Sequence, residues 1–149
     1  MRSPQPSVTV SKCVLAGIFT GLIAALAVVI FNIIYRSITG LIAFAVIVPV
    51  SSFVLLPLIN LFIGIIYFFF VRNLKNGRAL FRLAAILTML AGAYNTAFGS
   101  HSTDQPQELV TRLMFGIELI EGSLAALLLP YLADHQKMFL GDTNVRKSE

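Results

Sequence analysis

The first twelve residues are mixed, with prolines, serines, Arg2 and Lys12, and from Cys13 to about Tyr35 no charged residue interrupts an apolar run. That run exceeds the roughly 20 residues a helix needs to cross a bilayer, so it predicts a first membrane helix over about 13–35. It is too long for the apolar region of a signal peptide, and no polar cleavage region follows it before Arg36, so the helix is expected to be retained. A second apolar stretch extends from Ile38 to Val71, too long for one upright span and too short for two. Pro49 and Pro57 offer break points. The sequence thus predicts a second helix at about 51–71, preceded by an irregular apolar segment over 38–50 that lies in the interface or re-enters the membrane. One long, kinked and tilted helix is the alternative.

The basic turn Arg72 to Arg78, with Asn76-Gly77 supplying turn chemistry, separates this stretch from a third helix at about 79–98. A polar loop from Gly99 to Gln107 precedes a fourth helix at about 108–132, and residues 134–149 form a polar tail expected to be mobile. The expected architecture is all-α: a single transmembrane domain over 1–149, folded as an integral membrane four-helix bundle.

Composition agrees with this pattern. Hydrophobic residues make up 57% of the chain and charged residues only 12%, about half the share found in soluble domains. The net charge of +4 would suggest nucleic acid in a soluble protein, but here the basic residues flank the apolar runs. They set topology instead. With the N-terminus inside, Arg2, Lys12, Arg72, Lys75, Arg78, Arg82, Lys137, Arg146 and Lys147 fall on the cytoplasmic side, against Arg36 and Arg112 outside. Both termini are therefore expected to be cytoplasmic, and the expected location is the cytoplasmic membrane of a bacterium. The lipid bilayer is the expected partner; nucleic acid is not.

Redox, metal and hydrolytic chemistry find little support. A single cysteine, Cys13, allows neither an intrachain disulfide nor a paired-thiol site. His101 and His135 lie outside the apolar runs, against a haem held within the membrane. The chain has no HExxH, no GxSxG and no phosphate-binding glycine loop. No cofactor, metal or catalytic residue is expected, and an enzyme is the less favoured class.

What remains is a pair of acids in the middle of the fourth helix. Glu118 lies ten residues past Glu108, about 15 Å along the helix and near the centre of a roughly 30 Å hydrocarbon core. Glu121 follows on the same face, and each acid at this depth costs on the order of 2.5–3.5 kcal/mol on an insertion scale. The acid face is thus expected to be covered by other helices. Depth counting proposes Asn60 as first neighbour, with Asn32, Tyr94, Asn95 and Arg112 forming a polar track from the outer side. An ion pair of Arg112 with Glu108 is the plainer expectation for that arginine.

Small residues supply the packing signal. Gly17, Gly21 and Ala25 recur at four-residue spacing, as do Ala84, Thr88, Gly92 and Thr96, and Glu118, Gly122, Ala126 and Pro130. Two functional expectations follow. In the first, the Glu pair binds or translocates a proton, a cation or a small amphipathic ligand, with transport requiring a homo-oligomer or a membrane-complex partner. In the second, the chain is a non-catalytic subunit or assembly factor that docks through its small-residue stripes.

Overall fold

The computed structural model describes residues 9–40, 47–99 and 105–135. These form four helices, α1 (Val10–Thr39), α2 (Ile47–Asn73), α3 (Gly77–Gly99) and α4 (Gln105–Asp134). All four are long and apolar enough to cross a bilayer, which makes the chain a multi-pass membrane protein.

The helices extend a few residues beyond the apolar runs at most ends, because backbone hydrogen bonding continues into the interface after side chains turn polar. α1 thus runs through Arg36 to Thr39 and stops at Gly40, whose left-handed backbone (φ 69°) closes the helix by donating its N–H to the Arg36 carbonyl. Of the apolar segment expected to be irregular, Ile38 and Thr39 finish α1 and residues 47–50 begin α2; residues 41–46 lie outside the described set. Pro49 does not break α2, because it falls in the first turn, where the missing N–H has no partner to lose. Likewise Gln105–Gln107, expected in a loop, opens α4 with Pro106 in its first turn. Asp134 ends α4 rather than beginning a tail, whereas residues 136–149 and His101 lie outside the described residues.

Each helix runs antiparallel to its neighbour in the chain. α1 packs on α2 and α4, and α3 packs chiefly on α4. The tightest interface is α1 with α2, where backbones approach because glycine removes the side chain. A Cβ at Gly17 would strike the Asn60 carbonyl oxygen, one at Gly21 would meet Pro57 and the Leu56 carbonyl, and one at Gly64 would strike the Cys13 carbonyl. The Asn76-Gly77 turn works similarly: Gly77 is needed where α3 starts against the Phe70 carbonyl, not for an unusual φ. α1 meets α4 along Phe31 against Gly116, and the Tyr35 hydroxyl donates to the Leu109 carbonyl at 3.0 Å.

Two apolar clusters fill the interior. Ala24, Ala25, Val28 and Leu56 pack with Ile117, Ile120 and Leu124. Cys13, Ala16, Tyr67, Phe68, Phe81, Leu129, Leu132 and Ala133 form the other, nearer the α2–α3 turn. The outer surface is apolar as well, with Leu26, Ile33, Val54, Phe62, Leu87 and Leu127 all at least half exposed. A surface of this kind is matched to lipid rather than water.

Charges sit near the ends. Arg78 pairs with Asp134 at 3.0 Å where α3 begins and α4 finishes, and Arg112 donates to Glu108 at 2.6 Å toward the other end. Among the described residues, only Glu118 and Glu121 are ionisable at mid-helix.

Candidate ligand site between α2, α3 and α4

α4 is a helix of 30 residues, and its midpoint falls between Glu118 and Glu121. Three residues apart on a helix, the two side chains leave on neighbouring positions of one face. That face turns toward α3. Glu118 lies over Gly92, where any Cβ would strike its Oε1, and the Thr96 hydroxyl donates to its Oε2 at 2.8 Å. One helical turn beyond Glu118, Gly122 takes the Met89 side chain. The Ala84, Thr88, Gly92 and Thr96 row, legible in sequence as a packing stripe, is the surface that receives the acids.

A cavity of about 350 Å³ opens beside this contact. α4 contributes Glu118, Glu121, Gly122 and Ala125 to its wall. α3 adds Phe81, Ala84, Ala85, Thr88 and Met89, and α2 closes it with Ile63, Ile66 and Phe70. The cavity exists because α2 and α3 touch near their turn, through Phe81 against Tyr67 and Phe70, and leave room beyond it. Glu118 and Glu121 therefore line a chamber whose other lining residues are, Thr88 apart, apolar. The Thr88 hydroxyl donates to the Ala84 carbonyl of its own helix at 2.9 Å. Among the described residues, none donates a hydrogen bond to Glu121. Glu118 is held; Glu121 is available.

The polar neighbours expected from depth fall elsewhere. Asn60 is fully buried but stands at the α1 contact, with Nδ2 donating to the Leu56 carbonyl of its own helix and Oδ1 unpaired. It does not line the cavity. Asn32 is also buried, on α1, with both amide atoms unpaired. Tyr94 and Asn95 are exposed, the Tyr94 ring tilted against Phe98, and Arg112 is exposed beside Glu108. None of these residues lines the cavity with the acids. Depth along a helix says nothing of which neighbour covers a given side: the Ser52, Leu56, Asn60 and Gly64 row marks the buried side of α2, and it is α1 that packs at Asn60 and Gly64. Thr96, Thr88, Met89 and the Phe70–Phe81 pair are the neighbours that depth counting misses.

Gly17 and Gly21 lie at the α1–α2 contact, whereas Gly92 and Gly122 lie at the α3–α4 contact. Gly92 has a further consequence for the acids. In Gly92→Ala the obstacle to the new methyl is the end of a flexible side chain, so the Glu118 carboxyl swings aside and the backbone stays. The expected result is a melting temperature within about 4 °C of the parent, a shift of less than roughly 1 kcal/mol. The Thr96 bond is broken, seen as a displaced Glu118 carboxyl band in the infrared. An unmoved band would contradict the described contact.

Among the described residues, no group of three or more histidine, cysteine, aspartate or glutamate side chains could hold a metal ion. No protein-family model, curated protein or solved structure matches the chain.

Proposed function

We propose that this small multi-pass protein, set in a cytoplasmic membrane with both termini inside, binds and translocates a cationic ligand at Glu118 and Glu121. The observation that carries the reading is the pairing of two mid-membrane carboxyls with a cavity large enough to admit a molecule. Burying acids at this depth is costly, and a fold that merely tolerated them would surround them with donors. Here one acid is bonded by Thr96 while the other faces the chamber without a donor. A cation arriving in the chamber relieves the repulsion between the two acids and gains from both. Proton exchange at the same pair is the natural counterpart: a protonated carboxyl releases its proton to water as the cation takes its place, and takes a proton back from water when the cation leaves.

The rival expectation, docking onto other membrane proteins through small-residue stripes, has less to draw on. Gly17 and Gly21 are occupied by α2, and Gly92 and Gly122 by the α3–α4 contact.

Infrared difference spectra of the protein in lipid test the reading. Carboxyl bands assigned to Glu118 and Glu121 are expected to respond to pH and to members of a cation panel containing sodium, choline and benzyltriethylammonium. Each assignment is checked by the corresponding Glu→Gln variant. Bands that ignore both pH and every cation would reduce the pair to structural glue and overturn the proposal.

A further inference from the structure

We infer that the ligand is a lipophilic organic cation of one small molecule's size, entering sideways from the bilayer between α2 and α3. This rests on the cation-binding reading above and narrows it by the chemistry of the chamber walls.

Charge comes first. Among the described residues of the cavity wall, the only ionisable side chains are the two glutamates, so the wall favours positive charge. The nearby basic end of α3 does not compete, because Arg78 is paired with Asp134 and neither Arg78 nor Arg82 lines the cavity. The remaining wall then selects among cations. An inorganic cation gives up a hydration shell of six or more oxygens and needs oxygens in exchange. Beyond the two glutamates, the lining residues offer the Thr88 hydroxyl, the Met89 thioether and otherwise hydrocarbon side chains. A cation whose charge is shielded by alkyl or aryl groups loses little hydration on entry, and its apolar groups match Ile63, Ile66 and Met89. At the end near the turn, Phe70 and Phe81 stand edge to face, 6.0 Å between centroids. These rings suit an aryl substituent and attract a cation on their faces.

Size and access agree. A volume of about 350 Å³ is near the lower end of small-molecule pockets. Ile66 lines the chamber while remaining half exposed on the surface that meets lipid, and Thr88 is exposed across from it. The chamber therefore opens toward the acyl chains, where a lipophilic cation is already concentrated.

Equilibrium binding to the full chain in lipid discs tests this, with radiolabelled benzyltriethylammonium, choline and sodium as probes. Benzyltriethylammonium is expected to bind at least about tenfold more tightly than choline, a difference of the size that burying a few apolar carbons produces. Ala84→Phe fills the chamber from α3 without altering either acid, and Thr88→Leu narrows its opening. Both are expected to weaken benzyltriethylammonium by about tenfold or more. Melting curves show whether each variant folds, and the Thr88 variant, on the exposed rim, carries the test if Ala84→Phe does not. Choline or sodium binding as tightly as the aryl cation would overturn the lipophilic class while leaving the cation site standing. Undiminished benzyltriethylammonium binding in both folded variants would overturn the chamber as its seat. If no probe binds and the carboxyl bands ignore pH as well, both the class and the cation site fall.

Discussion

Leucine in place of Gly17 is expected to unseat α1 from α2 and to cost on the order of 3 kcal/mol or more of stability, the upper part of the range for overpacked cores. The reason is what stands in the way. Even a Cβ at position 17 would strike the Asn60 carbonyl oxygen, with the Leu61 Cα 3.2 Å away, and both belong to a helix backbone that cannot swing aside as a side chain can. Relief requires the helices to move apart. The neighbouring contacts at Gly21 with Pro57 and at Gly64 with Cys13 would then open together, because all lie along one interface. In a bilayer this loss is not recovered by hydrophobic burial, since lipid is as apolar as leucine and packing itself supplies the attraction. Reversible unfolding in mixed detergent micelles measures the cost, with Leu22→Ala on the exposed side of α1 as a control expected to change little. A Gly17→Leu protein as stable as the parent would mean that the two backbones do not meet as described.

The second large effect is expected at Glu121. Glu121→Gln should weaken cation binding by about a hundredfold, close to 3 kcal/mol, the scale on which a charge-assisted contact in a dry site operates. Glu118→Gln should weaken it less, by about tenfold. The order follows from the geometry. Glu118 is laid on Gly92 and bonded by Thr96, so part of its interaction is already committed to the protein, whereas Glu121 lines the chamber without a protein donor. Neither change alters side-chain shape, so folding should survive. Binding isotherms for the two single variants and the double variant decide the matter. A double variant that loses much less than the sum of the singles would show the acids acting as one unit. Equal losses in the two singles would remove the distinction drawn between them.

Much of this fold was legible in the order of the residues. Four apolar runs, a basic turn and paired flanking charges predict four spanning helices because a bilayer leaves the backbone few other conformations. The helix ends were less legible, since apolarity marks depth in the membrane and hydrogen bonding marks the helix. Thr39 and Gln105 lie inside helices for that reason. The Glu118–Glu121 pair stood out at once, as charge in the middle of a span must. Its company did not. Asn60 has the right depth but faces α1: the Ser52, Leu56, Asn60 and Gly64 row marks the buried side of α2 without telling which helix covers it. A better signal was present in α3, where Ala84, Thr88, Gly92 and Thr96 put small and hydroxylated residues in one row. Reading that row as a receptor for acids, and not only as a packing stripe, would have paired Thr96 with Glu118.

The position of the acids also bears on how the chain is made. α4 follows the other three helices in the chain, so its two carboxyls reach the membrane after α1 and α3 have been synthesised. Alone, a span with two central acids is close to the threshold at which a translocon would release it into lipid. Beside α3 it finds the Thr96 hydroxyl and the clear surface over Gly92 waiting for Glu118, and beside α1 it finds Phe31 against Gly116 and Tyr35 against Leu109. The earlier helices thus serve as the solvent into which the costly one partitions, and its insertion and its docking become a single event.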